Sequence, residues 1–166
     1  MHLRKLELFD APLMLSWMHD ENVTKNLRAN FAAKTLADAE AFIYSSWEDT
    51  ENVNLAIASD GDEYMGTVSL KHIENESAEF AITVRSEAMG RGYSWFGMQN
   101  ILKMAFDEMR LSEVYWCVSK DNSRAIRFYD KHHFQETGVL SQAVLDRYAD
   151  VPNLKWYHVY SGEKLA

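Results

Sequence analysis

Cysteine, proline and glycine are all scarce in this chain of 166 residues, and each scarcity excludes a kind of protein. The one cysteine, Cys117, has no second cysteine to pair with, so no intrachain disulfide holds the fold and a reducing compartment is favoured. Two prolines and seven glycines are too few for a flexible linker, and we find no internal repeat. Since no apolar run approaches the length that spans a bilayer, we expect no membrane partner. Residues 1–166 are therefore predicted to form a single domain.

Positive charge is also in short supply, because 17 basic side chains stand against 25 acidic ones and the formal net charge is −8. Phosphates repel such a chain, so nucleic acid is not an expected partner. The first residues alternate as a strand does and lack the apolar segment of a signal peptide, so we expect a cytoplasmic location. The chain does have 47% apolar and 13% aromatic residues, enough to bury a core, which excludes a disordered chain or a coiled-coil rod.

Hydrophobic periodicity predicts an α/β (α+β) protein. Asp10 and Thr35 each precede a segment with helical spacing and are predicted to cap it. Short polar turns separate three β-rich runs in the middle of the chain, as in an antiparallel meander. The predicted strands lie at residues 3–8, 53–59, 64–73, 78–84, 114–119, 134–140 and 154–160, and the later helices at 96–109 and 122–131. This order predicts a mixed, mostly antiparallel central sheet with helices on both faces.

The segment from Met89 to Ser94 lies between a predicted strand and a predicted helix. Gly90 and Gly92 allow a turn whose N–H groups point outward, and the start of the helix adds unpaired donors and partial positive charge. Such a turn can bind a pyrophosphate, although a plain strand-to-helix turn has the same signature. Arg85 and Arg91 flank the turn, where they can meet phosphate charge or remain ordinary surface arginines.

Two segments resemble the GNAT superfamily of acyl-CoA-dependent N-acetyltransferases. The loop from Met89 to Ser94 is similar to the pyrophosphate loop of the superfamily, with both end residues differing from the usual pattern. The segment from Asn122 to Phe134 is similar to the Asn-x-x-Ala-x-x-x-Tyr-x-x-x-Gly-Phe segment, with His133 in place of the glycine. Further similarity over residues 1–140 indicates the branch that contains ribosomal-protein N-terminal acetyltransferases and amino-sugar N-acetyltransferases.

The resemblance implies a single acyl-CoA N-acyltransferase domain with a GNAT-like sheet and acetyl-CoA as cosubstrate. It implies that the strand opens at Val84, so that backbone groups there pair with the pantetheine arm. Asn122 would bind the same arm or a water, although a role as helix N-cap explains it equally well. The residues that the resemblance places at the cofactor are Ile82, Val84, Met89, Gly90, Arg91, Gly92, Tyr93, Ser94, Asn122 and Arg127.

Two residues are candidates for catalysis. The resemblance assigns Tyr129 to the departing thiolate, to which a phenol can donate a hydrogen bond or a proton; packing beside Phe128 is the alternative. The attacking amine must lose a proton, and Glu79 is the candidate base. Its strand carries Phe80 on the other face, so the Glu79 side chain points the opposite way, among small neighbours. A solvated glutamate, or one paired with an arginine, explains that position equally well.

Neither cysteine nor histidine chemistry is favoured. Cys117 has no histidine at a suggestive spacing, so direct transfer in a ternary complex is preferred to an acetyl-cysteine intermediate. The adjacent His132 and His133 diverge in direction and no second pair stands at ligand spacing, so we expect no metal.

The predicted function is acetyl transfer from acetyl-CoA to a primary amine of a small molecule. A nucleotide-linked amino sugar is favoured over a polyamine as the acceptor. The alternatives are a protein N-terminus, as in the ribosomal-protein acetyltransferases, and a CoA-binding module without turnover. The departures at Met89, Ser94 and His133 motivate the second alternative. The resemblance also leaves a homodimer open, and residues 141–166 receive no role.

Overall fold

The computed structural model describes residues 1–163 and 165, and its centre is a seven-stranded sheet in the order β1-β2-β3-β4-β5-β7-β6. The strands are β1 (His2–Lys5), β2 (Val53–Ala58), β3 (Tyr64–Glu74), β4 (Ser77–Val84), β5 (Glu113–Ser119), β6 (Gln135–Glu136) and β7 (Leu154–Tyr160). The helices are α1 (Ala11–Met18), α2 (Glu21–Thr24), α3 (Leu36–Glu48), α4 (Tyr93–Lys103), α5 (Ser123–Lys131) and α6 (Gln142–Arg147). Among the described residues, no helix has the length and apolar character needed to cross a membrane.

The sheet has one parallel pair of strands, β4 with β5, and its other neighbouring strands are antiparallel. The parallel pairing joins only Ser77–Glu79 to Glu113–Tyr115. Beyond it, β4 continues along β3 to Val84, while β5 continues along β7 to Ser119. The sheet is therefore mixed and mostly antiparallel, as predicted, and it is open between β4 and β5 past Glu79.

Helices cover both faces of the sheet, which confirms the predicted packing. Consecutive residues of a strand point to opposite faces, and Ala56 and Ile57 of β2 show the two environments. Ala56 joins a core with Met14 of α1 and Ile43 of α3. Ile57 joins a larger core with Met98 of α4 and the aromatic residues of α5 and β5. The two buried cores hold the strands in place on either side.

The predicted helix caps have different outcomes. Thr35 and Asp38 form a reciprocal capping box, in which the Thr35 Oγ1 accepts from the Asp38 N–H at 3.3 Å and the Asp38 carboxylate accepts from the Thr35 N–H at 2.8 Å. Asp10 directly precedes α1, but its side chain does not cap that helix. Its fully buried carboxylate accepts two hydrogen bonds from the Arg4 guanidinium, each of 2.8 Å, because a buried charge requires a partner.

The C-terminal third departs most from the prediction. The strand expected at 134–140 is reduced to the two residues of β6, since the chain leaves β7 after the Thr137 N–H donates to the Trp156 carbonyl at 3.0 Å. Residues 142–147 form α6, whose first turn is capped by Ser141, which accepts from the Val144 N–H at 3.3 Å. The long helix predicted to reach residue 109 continues after α4 as a π-helical turn over Met104–Glu108.

Candidate active site

The glycine turn between β4 and α4 has the geometry of an anion-binding loop. Gly90 and Gly92 have φ angles of 73° and 88°, in the left-handed region that favours glycine. A Cβ atom on Gly90 would meet nothing within 4 Å, so the turn borders open space. The first bond of the helical ladder is donated by the Phe96 N–H to the Gly92 carbonyl at 3.0 Å, and the earlier first-turn amides have no intrahelical partner. These amides belong to Tyr93, whose ring is buried, and to Ser94 and Trp95.

Met89, the first residue of the loop, lies at a junction of three segments. The Arg124 guanidinium of α5 approaches the Met89 Sδ at 2.9 Å and donates to the Asn22 carbonyl of α2 at 3.2 Å. The Asn22 amide in turn donates to the Ser86 hydroxyl at 3.0 Å. The start of α5 and the short helix α2 therefore border the loop directly.

The two arginines that flank the loop have different environments. Arg85 is only 8% exposed and donates to the Glu63 carboxylate at 2.7 Å and to the Tyr64 carbonyl at 3.0 Å. Neither alternative considered for Arg85 holds, because its guanidinium is buried against Glu63 and is neither exposed on the surface nor free to meet a phosphate. Arg91 is exposed, donates to the Glu87 carbonyl at 3.1 Å and remains beside the turn.

The gap in the sheet runs along the last residues of β4, the strand that leads to this loop. Ile82 and Val84 are half-buried residues of β4 that lie past the last residue paired with β5. Half of the backbone N–H and C=O groups in this stretch point away from β3, toward the gap. Unpaired groups on a strand edge are ready to bond another extended chain. The opening that the resemblance implies at Val84 is present.

Tyr129 of α5 lies on the face of the sheet covered by α4. It is 6% exposed, with its ring centroid 5.3 Å from that of Trp116 and 5.1 Å from that of Tyr157. Within residues 1–163 and 165 its hydroxyl makes no hydrogen bond, and burial raises its pKa well above the ordinary value. The phenol therefore stays protonated at neutral pH.

The residues on either side of Tyr129 belong to the segment from Asn122 to Phe134 that resembles the superfamily pattern. The Asn122 side chain accepts from the Ala125 N–H at 3.1 Å, so the N-cap role considered for it is real. His133 has a φ of 59°, the conformation that a glycine there would adopt, so the turn after α5 keeps its geometry without glycine. His132 stacks on Trp95, with ring centroids 3.7 Å apart. Among the residues that the structure describes, no group of three or more His, Cys, Asp or Glu side chains is placed to hold a metal.

Glu79 is the last residue of β4 that pairs with β5, so it lies at the closed end of the gap. It is 5% exposed, and its carboxylate accepts a hydrogen bond from the Tyr148 hydroxyl and one of 3.2 Å from Arg147. The His72 Nε2 lies 3.9 Å from the Glu79 Oε2. Of the two plain alternatives for Glu79, the structure has the arginine-paired glutamate and not the solvated one.

Arg147 and Tyr148 are the site residues that sequence reasoning missed. Arg147 also donates to the Tyr115 hydroxyl at 3.1 Å, and the Arg28 guanidinium lies 4.3 Å from the ring centroid of Tyr148. The capping serine at the start of α6 is a signal for a helix at this point. The contact with Glu79 spans almost 70 positions of sequence and leaves no local pattern. Arg147 and Tyr148 therefore border the candidate site beside Glu79.

The catalytic candidates approach the gap from opposite faces of the sheet. Glu79 is in register with Tyr115 of β5, whereas Tyr129 packs on the adjacent Trp116, which points the other way. Cys117 shares the face of Tyr115, and burial raises the pKa of its thiol to about 11. Since the thiolate is the nucleophilic form, Cys117 is poorly suited to covalent catalysis at neutral pH.

Comparisons with known proteins identify the family. The family model described as "Acetyltransferase (GNAT) domain" matches residues 1–135. An uncharacterized N-acetyltransferase p20 from Bacillus licheniformis is 27% identical over 143 residues, which cover 83% of this chain and 80% of that protein. Spermidine N(1)-acetyltransferase from Vibrio cholerae is 24% identical over 159 residues, or 92% of this chain and 90% of that protein.

The fold has close counterparts among solved structures. A crystal structure of spermidine N-acetyltransferase from Vibrio cholerae in complex with CoA and spermine superposes with a TM-score of 0.79 at 19% identity, and covers 96% of this chain and 95% of that one. At this identity the likeness shows the fold, which agrees with the family match. The chain belongs to the GNAT family and is an acetyl-CoA-dependent N-acetyltransferase.

Proposed function

We propose that the protein acetylates a primary amine of a small molecule by direct attack of the amine in a ternary complex. The observation that carries this proposal is the gap between β4 and β5, which has the loop of Gly90 and Gly92 at one end and Glu79 at the other. Acetyl-CoA supplies the thioester carbonyl and a diphosphate when it is bound. The chain supplies an anion-binding loop, an open strand edge and two titratable side chains in the order that this ligand needs.

The residues around the gap fit the cofactor. The space in front of Gly90 admits a diphosphate, and the amides of Tyr93 and Ser94 can donate to it. The open edge at Ile82 and Val84 offers backbone partners to the amide groups of a pantetheine arm. The other residues proposed to contact the cofactor are Met89, Arg91, Gly92, Asn122 and Arg127.

Glu79 is the proposed base. Its carboxylate lies where the strands part, and it already accepts hydrogen bonds from Tyr148 and Arg147, so it is oriented as an acceptor. An acceptor amine, directly or through a water, would deliver its proton to this carboxylate. We infer that the amine takes the place of the Tyr148 hydroxyl, which is the partner without a fixed charge.

Tyr129 is proposed to stabilise the departing thiolate. A thiol titrates near ~8.5, below the raised pKa of this phenol, so the hydroxyl keeps its proton and acts as a hydrogen-bond donor to the sulfur. The free hydroxyl has no competing acceptor among the described residues. The proposed mechanism needs no cysteine intermediate, which agrees with the raised pKa of Cys117.

The charges around Glu79 favour an acceptor that carries phosphate. Arg147 pairs with the carboxylates of Glu79 and Glu74. Arg28, by contrast, lies over the ring of Tyr148 and forms no salt bridge in the described residues. One unpaired guanidinium group therefore flanks the proposed amine position. Fixed cations repel a polyamine and attract the phosphates of a nucleotide-linked amino sugar. A polyamine is the second candidate, because one relative is a spermidine N(1)-acetyltransferase.

The test is an acceptor panel with acetyl-CoA, in which released thiol is measured with a chromogenic thiol reagent. The panel contains nucleotide-linked amino sugars, spermidine and spermine, and peptides with free N-termini. We expect the highest kcat/KM with a nucleotide-linked amino sugar. Turnover with the peptides alone would contradict a small-molecule acceptor, and CoA binding without turnover on any amine would identify a binding module.

The assembly state is a separate prediction. A dodecameric structure is known for the spermidine N-acetyltransferase of Vibrio cholerae, which is 20% identical to this chain. Tyr44 and Trp47 of α3 are 54% and 40% exposed, which is apolar surface that an association would cover. We expect a homodimer, and light scattering after gel filtration measures its mass. A monomeric mass at micromolar concentration would contradict it.

A further inference from the structure

Three cationic side chains surround a cavity of about 320 Å³ between the end of α2 and the start of α5. They are Lys25, Arg124 and Arg127, and each of them is exposed. Asn122 at the start of α5 and the acidic residue Asp121 line the same cavity. The chain as a whole carries a formal net charge of −8, so three converging cations are a local departure from its charge.

In the part of the chain that the structure describes, none of these three side chains forms a salt bridge. Elsewhere the protein does pair its arginines, as in Arg4 with Asp10 and Arg147 with Glu79. Asp121 also lines the cavity but forms no salt bridge with the three cations in the described residues, and its carboxylate accepts from the Asn153 amide at 3.2 Å. The three like charges outnumber it and repel one another, and an anion between them reduces that repulsion. The cavity therefore has the charge of an anion site.

Arg124 connects this cavity to the proposed cofactor loop. Its guanidinium lies 2.9 Å from the Met89 Sδ and 3.2 Å from the Asn22 carbonyl oxygen. A thioether is a weak acceptor, so the contact with Met89 leaves the guanidinium free for a stronger one. Arg124 therefore stands next to the loop on which the diphosphate is proposed to bind.

We propose that Lys25, Arg124 and Arg127 bind the 3′-phosphate on the ribose of coenzyme A, so that the enzyme selects CoA over 3′-dephospho-CoA. This inference rests on the proposed function, in which the diphosphate of the cofactor occupies the loop after β4. The 3′-phosphate is a monoester with close to two negative charges at neutral pH, and it stands on the ribose next to that diphosphate. Guanidinium groups match such a phosphate because their planar fork donates two parallel hydrogen bonds.

A phosphate of a nucleotide-linked acceptor is the other source of the same chemistry. The cavity adjoins Met89 at the cofactor loop, whereas the proposed amine position lies beside Glu79, Arg147 and Tyr148. This placement assigns the cavity to the cofactor. The two sources are separated by measuring the affinity of each ligand in the same variants.

The experiment is isothermal titration of the full chain with CoA and with 3′-dephospho-CoA, each without an acceptor, and in a separate titration with a nucleotide-linked amino sugar. We expect CoA to bind about tenfold more tightly, and the preference to shrink as the ionic strength rises. In an Arg124→Ala/Arg127→Ala variant, CoA affinity should fall to that of 3′-dephospho-CoA, whose own affinity changes little. Lys131→Ala removes one charge from the far end of the same helix and should leave the preference intact.

Each outcome bears on a different claim. Equal affinity of the wild-type chain for the two ligands overturns this inference and leaves the proposed function standing. If the chain binds neither ligand, both this inference and the proposed function are overturned. A preference that the double variant retains also overturns the inference. Weaker binding of a nucleotide-linked amino sugar with unchanged CoA affinity would assign the cavity to the acceptor instead. Thermal melting of each variant confirms that the fold is preserved.

Discussion

Replacing Tyr129 by phenylalanine removes a single hydroxyl and leaves the packing of the ring in place. The ring centroid lies 5.3 Å from that of Trp116 and 5.1 Å from that of Tyr157, and phenylalanine can keep both contacts. Because the hydroxyl makes no hydrogen bond within the described residues, its loss leaves no protein group unsatisfied. We expect the free energy of unfolding to change by less than about 0.5 kcal/mol.

The effect on catalysis is expected to be much larger. A hydrogen bond to a charged group contributes about 1.5–3 kcal/mol, and the thiolate carries its full charge only as the C–S bond breaks. Loss of this bond corresponds to a fall in kcat of roughly 10- to 150-fold. The Kd for CoA should change by less than about twofold, because the contact forms during reaction and not on binding.

Steady-state thiol release gives kcat, and titration with CoA gives Kd. Tyr157→Phe is the matched control, since it removes the hydroxyl of the neighbouring ring, which donates to the Asp130 carboxylate at 3.0 Å. That control should lose about 1 kcal/mol of stability and keep its kcat. A Tyr129→Phe enzyme whose kcat stays within about twofold of the wild type would remove Tyr129 from the mechanism.

Three further predictions concern the rest of the site. Glu79→Gln should lower kcat by about 100-fold or more at an unchanged KM for acetyl-CoA, and an unaltered kcat would reassign the base. Gly66→Ala places a Cβ atom 2.5 Å from a backbone carbonyl oxygen of β4, so the free energy of unfolding, measured by chemical denaturation, should fall by about 1–3 kcal/mol. Gly138→Ala is the control, because a Cβ atom there meets nothing within 4 Å, and its free energy of unfolding should hardly change. Cys117 has a pKa raised to about 11, so its thiol should react slowly with iodoacetamide near roughly pH 8 and faster as the pH rises toward the pKa. Rapid alkylation near neutral pH would contradict that burial.

Much of the fold follows from local patterns in the sequence. Thr35 precedes a segment with helical spacing, and the structure has the predicted cap and helix there. The β-rich run at 53–59 predicts a strand, and the structure has β2 there. The paired glycines at 90 and 92 predict a turn between a strand and a helix, and both have positive φ. Each of these features depends on residues a few positions apart, so a single sequence contains the information.

The parts that sequence reasoning missed depend on distant contacts. In sequence Arg85 is a candidate phosphate ligand or a surface arginine, but it is buried and pairs with Glu63, which directly precedes the neighbouring strand β3. The environment of Glu79 is set by Arg147 and Tyr148, which return to the sheet from beyond β6. The predicted strand at 134–140 fails because its edge position offers only one neighbour, and the chain turns away to form α6. No local periodicity encodes such returns.

The short parallel contact between β4 and β5 divides the sheet into two halves that share three rungs of pairing. Amide protons on the inner edge of residues 80–84 are therefore expected to exchange quickly with deuterium in the free enzyme and slowly in its complex with CoA. A ligand that hydrogen-bonds to that edge takes the place of a neighbouring strand. The cosubstrate would then complete the hydrogen bonding of this edge and add to the stability of the sheet when it binds.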